Sequence, residues 1–139
     1  MTSRQSRFAF AVLVSSVVML LSCTVTAATV NVVLVYDSSD GNCTQKVNGT
    51  SALLVDVPSG SSISWTAVTK AHGTETPATA FDIQFSPGGS PFYDYNSPRG
   101  TAVVSGPTTG TNGTKHRYST VTVNGKDCNN EHSLGLIMR

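Results

Sequence analysis

Charge is scarce in this chain. Asp, Glu, Lys and Arg make up 12% of its 139 residues, with nine basic side chains against eight acidic ones. A surface that tracks polyanions needs clustered Lys and Arg. The densest group here, Lys115, His116 and Arg117, is too small for one, so no nucleic-acid partner is expected; His116 reads as a solvated strand end. Helical periodicity is missing as well. Beyond the N-terminal segment no stretch repeats its apolar residues with the 3.6-residue spacing of an amphipathic helix. Catalytic signatures are also lacking: there is no GxSxG elbow and no evident pair of carboxylates, and the expectation is a protein without catalysis or cofactor. Cysteine is limited to Cys23, Cys43 and Cys128.

What is present begins with a targeting segment. Arg4 and Arg7 precede the uncharged run "FAFAVLVSSVVMLL", and "SCTVTAA" then offers small residues at cleavable spacing. This is the three-part pattern of a secretory signal peptide. The apolar run, about 14 residues, falls short of the ~20 that cross a bilayer. Residues 1–28 are therefore read as signal peptide and residues 29–139 as one domain, secreted or periplasmic, with no transmembrane span in the mature chain. The string "LLSC" also resembles a lipobox, and the alternative is a lipid anchor at Cys23. Without Arg4 and Arg7 the mature part keeps seven Lys and Arg against eight acids and is close to neutral.

With Cys23 in the signal segment, the mature chain holds Cys43 and Cys128. Two cysteines in an exported domain most simply form one disulfide. Cys43–Cys128 would tie the first third of the domain to its end. On the chain-entropy account such a loop closure stabilises by about 4–5 kcal/mol.

The mature pattern is all β. "TVNVVLVY" is apolar on both faces, as a well-covered strand requires. "SALLVDV", "SSISWTAV", "FDIQF", "TAVVS", "RYSTVTVN" and "SLGLIM" follow, several with strict alternation. In "SSISWTAV", Ile63, Trp65 and Ala67 share one face. In "FDIQF", Phe81, Ile83 and Phe85 do so, and in the last segment Leu134, Leu136 and Met138. The six prolines fall between these segments, where no ladder donor is lost. About seven short strands separated by Asn-Gly, Ser-Gly and Gly-Gly turns predict a single β-sandwich. Residues 70–79, 86–100 and 105–115 read as the longer loops.

The succession "ISWTAV", "FDIQFSPGGSPF" and "YSTVTVNG" before a short last strand resembles small exported bacterial β-sandwich proteins. The resemblance implies a cupredoxin-like or immunoglobulin-like shape without a metal site, and it carries no functional residue across. Three local features raise chemistry of their own. His72, Cys128, His132 and Met138 stand in the order of a type 1 copper site, which takes two histidines, a thiolate and a weak axial methionine. Copper and electron transfer are the alternative function. Against it, the Cys-x3-His-x5-Met spacing is long, only Arg139 follows Met138, and a thiolate ligand would leave Cys43 unpaired. "SPFYDYNSPRG" concentrates Phe92, Tyr93 and Tyr95 beside Asp94 and Arg99, a composition suited to stacking on a sugar or gripping a peptide. These five residues are the candidate ligand loop, for an unknown protein or carbohydrate; Phe92 serves equally as a plug for the end of the sandwich. "DSSDGN", with Asp37 and Asp40, reads as a plain turn. Asn-x-Thr triplets begin at Asn42, Asn48 and Asn112 and would accept glycans only in a eukaryotic secretory route.

Overall fold

A computed structural model describes residues 28–87, 89–92 and 97–139. The signal segment and Cys23 lie outside them. Apart from one 3-10 turn, Glu131–Ser133, the regular structure described is entirely strand. In chain order the strands are β1 (Thr29–Asp37), β2 (Cys43–Val47), β3 (Thr50–Ala52), β4 (Leu54–Val57), β5 (Ser62–Ala71) and β6 (Thr74–Pro77). There follow β7 (Phe81–Phe85), β8 (Arg99–Gly100), β9 (Ala102–Ser105), β10 (Lys115–Val123), β11 (Lys126–Asp127) and β12 (Gly135–Met138).

They form two sheets. One runs β3-β2-β1-β5-β6, with β9 also on β5; the other runs β4-β12-β10-β7-β8, with β11 also on β10. Each sheet holds one parallel pair, β1 with β5 and β4 with β12. The sheets face each other as a β-sandwich, the fold class the alternation predicts. Between them lie Val32, Leu34, Val55, Val57, Ile63, Trp65, Phe81, Ile83, Tyr118, Val121, Val123, Leu136 and Met138, all buried.

The β1 segment is apolar on both faces because both are covered. Val32 and Leu34 point into the core, while Val35, on the outer face, is still only 3% exposed. Thr44 and Val68 flank it on the neighbouring strands, and an ion pair crosses the same face. Lys46 on β2 and Glu75 on β6 meet at 2.5 Å, although β1 and β5 lie between their strands. Three strand spacings are roughly 14 Å, a gap that two extended side chains close. Lys46 is level with Val33, and Glu75 with Lys70 and Asp37, so the line joining them crosses the level of Val35.

Both sides of the sandwich are closed by a strand that changes sheet. At Leu53 the chain leaves β3 in the first sheet and enters β4 in the second. At Thr101 it leaves β8 in the second sheet and enters β9 in the first. Such crossings shorten the edges open to foreign strands. Of the exposed large hydrophobics, Leu53 sits at the first crossing and Val104 on β9, past the second.

Four sequence expectations are revised. "SALLVDV" is two strands rather than one, broken at Leu53. Residues 70–79, expected as a loop, contain the β5–β6 hairpin, whose tight turn places His72 at φ 50° and Gly73 at φ 79°. Pro77 ends β6 instead of lying between strands. On β10 alternation from Val121 and Val123 would turn Tyr118 outward, yet it is fully buried. A register shift between Tyr118 and Thr120 supplies the extra residue that brings it in.

Candidate functional site

The two cysteines meet. Cys43 opens β2 and Cys128 follows β11; they are bonded with Cα atoms 5.4 Å apart across 85 residues of sequence, and both are buried. The bridge joins the first hairpin of one sheet to the last connection of the other. Hydrogen bonds duplicate it. The Asn130 side chain accepts from the Cys43 amide at 2.7 Å and donates to the Cys43 carbonyl at 2.8 Å. The Asn129 side chain donates to the Asp40 carbonyl, and its amide donates to the Gly41 carbonyl. Gly41 lets this loop approach, since a Cβ there would lie 2.5 Å from the side-chain Nδ2 of Asn129.

The adjoining turn is the plain one expected. Asp37 Oδ1 accepts from the Ser39 amide and hydroxyl, and Asp40 Oδ1 accepts from the Asn42 amide, as Asx turns do. The Ser39 bonds, helped by Lys70, hold the Asp37 carboxyl below its ordinary pKa. These carboxylates are committed to their own turn.

The four residues of the copper alternative are not brought together. Cys128 is committed to Cys43. His72 is exposed in the β5–β6 turn, and the His132 side chain, 77% exposed, has Glu131 at 3.9 Å. Met138 is fully buried in the core, with its amide bonded to the Thr114 carbonyl beside the start of β10. The Cys128 amide instead bonds Val121 near the far end of that strand. About seven residues of strand, roughly 23 Å, separate the two.

The aromatic loop is only partly within the described residues; Tyr93, Asp94 and Tyr95 lie outside them. Phe92 is 1% exposed, stacks edge-to-face on Phe85 at 5.9 Å and bridges to Thr108. It is the plug of its end of the sandwich. Arg99, at the other end of the loop, is exposed, with its Nε 3.8 Å from Asp82 Oδ2. Both line a shallow concavity of about 260 Å³ with Phe81, Gly100 and Thr122. Asp82 Oδ1 is buried without a hydrogen-bond partner.

Two features escaped the sequence reading. The first is a polar latch inside the core. Gln45 projects inward from β2, fully buried, and spans to the opposite sheet. Its Nε2 donates to the Leu53 and Gly135 carbonyls at 2.8 and 2.9 Å, and its Oε1 accepts from the Tyr118 hydroxyl at 2.8 Å. Burial pushes the Tyr118 hydroxyl well above the usual phenol range. Nothing in "CTQKV" marks Gln45 as internal except its phase with Cys43.

The second is His116, which is half-buried rather than solvated. Its Nδ1 lies 3.1 Å from the Gly89 carbonyl; a carbonyl only accepts, so Nδ1 carries the proton. Its Nε2 is buried without a partner, close to Gly110. Around it, where β7 parts from β10, lies a concavity of about 320 Å³ lined by Ser86, Pro87, Gly89 and residues 114–117.

Comparison with protein-family models, with curated proteins and with solved structures finds no match for this chain.

Proposed function

We propose that this protein is an exported, disulfide-stapled β-sandwich module that binds or scaffolds without catalysis or cofactor. The observation that carries the reading is the buried Cys43–Cys128 bridge. A solvent-excluded bond joining the two sheets suits an oxidising compartment, and so does the signal-like segment at residues 1–28. The copper alternative is not carried forward, because its thiolate is engaged and its methionine is a core residue.

If the module takes a protein or carbohydrate ligand, the segment from Phe92 to Arg99 is the place. Phe92 anchors one end of it in the core and Arg99 projects at the other. In sequence, Tyr93 and Tyr95 are the aromatic residues between them. The test has two arms. Intact mass of the protein from its native host, before and after reduction, is expected to show loss of residues 1–28 and a gain of two hydrogens. A diacylated Cys23 would replace the secreted form with a lipid-anchored one, and two free thiols in the unreduced protein would end the stapled reading. A glycan and peptide array is expected to lose its hits when Tyr93 and Tyr95 become Ala, with the melting temperature unchanged. Hits that survive the double variant would place binding elsewhere.

A further inference from the structure

Three Asn-Gly dipeptides lie on the described surface: Asn48-Gly49, Asn112-Gly113 and Asn124-Gly125. All six residues are exposed. In such a pair the asparagine side chain is open to attack from its own backbone, because glycine has no side chain to shield the next amide nitrogen. That nitrogen adds to the side-chain carbonyl carbon Cγ, ammonia leaves, and a five-membered succinimide forms. Water then opens the ring to aspartate or isoaspartate. The dipeptide is the same at all three positions, so neither it nor exposure ranks them. Hydrogen bonding does.

At Asn124 the side chain is pinned. Its Oδ1 accepts from the Thr79 amide at 2.8 Å, the Thr79 hydroxyl at 3.0 Å and the Ala80 amide at 3.1 Å. Turning Cγ onto the Gly125 nitrogen breaks these bonds. At Asn112 the attacking nitrogen is engaged, because the Gly113 amide donates to the Met138 carbonyl at 2.7 Å. Asn48 has neither restraint. Among the described residues, its side chain and the Gly49 amide have no hydrogen-bond partner, and a Cβ on Gly49 would meet nothing within 4 Å. The two residues are the whole β2–β3 turn, at φ 51° and 79° between the paired Val47 and Thr50.

We propose that Asn48 is the position at which the folded protein deamidates spontaneously, so that the β2–β3 turn is the first part of it to age. The Gly49 N–H proton leaves with the ammonia, and water supplies the oxygen and hydrogens of the ring-opened product. The isoaspartate form carries one extra carbon in the main chain. A two-residue turn sets the strand register and has no slack for it, so β3 loosens on β2 at Thr50. The inference goes beyond the module reading and depends on no ligand.

The test uses the purified, disulfide-bonded protein, incubated in mildly alkaline buffer and digested with trypsin. Cleavage after Lys and Arg places Asn48, Asn112 and Asn124 in separate peptides, residues 47–70, 100–115 and 118–126, each with no other Asn. Mass spectrometry, after chromatographic separation of the aspartate and isoaspartate forms, gives three rates. Asn48 is expected to react about tenfold or more faster than Asn124, whose three hydrogen bonds must break. It is expected to outpace Asn112, held by one bond, several-fold. In the reduced protein in urea, where the fold no longer acts, the three rates should converge. Equal rates in the folded protein, or no reaction at Asn48 while the unfolded chain reacts there, would overturn the proposal. The same ranking in urea would assign it to sequence and overturn it as well. So would Asn112 or Asn124 reacting first; at Asn124 that would mean its donors activate the Cγ carbonyl instead of pinning it.

Discussion

Gln45 carries more of the fold than its residue type suggests. Where the chain changes sheets at Leu53, its carbonyl accepts from the Gly135 amide and keeps a second lone pair for the core. The Gln45 amide donates to that carbonyl and to the one at Gly135, while its oxygen receives Tyr118. Gln45→Leu keeps the volume and orphans the buried Tyr118 hydroxyl, at about 1–3 kcal/mol, while the Leu53 carbonyl keeps its bond from the Gly135 amide. The substitution should destabilise by about 1–3 kcal/mol in urea unfolding. Tyr118→Phe removes one bond and should cost about 1–2 kcal/mol. Because the two residues share that bond, the double variant should lose less than the sum of the singles; strict additivity would show that the latch is not a unit. Gly135 is constrained differently. A Cβ there would sit 2.5 Å from the His116 carbonyl oxygen, whereas one on Gly49 meets nothing within 4 Å. Gly135→Ala is therefore expected to cost about 2 kcal/mol or more through backbone displacement. Gly49→Ala should cost only about 1 kcal/mol, the strain of its positive φ. Melting curves of the two variants decide this, and equal losses would contradict it.

Among the elements, those with one apolar face were legible in the residues and those without one were not. β5, β7 and β12 alternate because one face meets the core, and β1 is continuously apolar because both of its faces are covered. β2 and β6 hide in polar sequence for a different reason. "CTQKV" buries Cys43 and Gln45, neither of which signals a strand, and "TETP" is exposed throughout. The hairpin that makes β6 turns at His72-Gly73, a dipeptide with no strong turn signature. The disulfide was legible because arithmetic sufficed, whereas the Asn129 and Asn130 clamp depends on a juxtaposition that only the fold creates. The candidate ligand loop was legible as composition, but the concavity beside Lys115 and Arg117 exists only because β7 departs from β10. At this scale the Lys46–Glu75 pair makes a measurable claim. Both side chains are partly exposed, so a double-mutant cycle to Ala should give a coupling of about 0.2–1 kcal/mol that shrinks in high salt. A coupling that ignores salt would mean the pair acts by packing over Val35 rather than by charge.

For the whole molecule, the bridge and the clamp do the same mechanical work by different physics. The Cys43–Cys128 bond acts chiefly on the unfolded chain by closing a loop of 85 residues, and reduction should cost about 4–5 kcal/mol on the entropy account. The Asn130 bonds act on the folded state, where they hold the Cys43 backbone with or without the sulfur link. The reduced protein should therefore keep its native sheet pairing while melting at lower temperature. Cys43→Ser/Cys128→Ser would show the same state without a reductant. Asn130→Ala alone should cost about 1–3 kcal/mol, the loss of two partly buried hydrogen bonds. Added to the reduced protein, it removes the last side-chain tie from Asn130 to β2, and the two sheets should then separate at that end. Hydrogen exchange tests this directly. Amides of β2 and of residues 128–131 should stay protected after reduction and lose protection only when Asn130→Ala is added. If reduction alone exposes them, the clamp does not hold without the disulfide. If neither change exposes them, the sandwich is held at that end by its core, and the staple serves durability rather than shape.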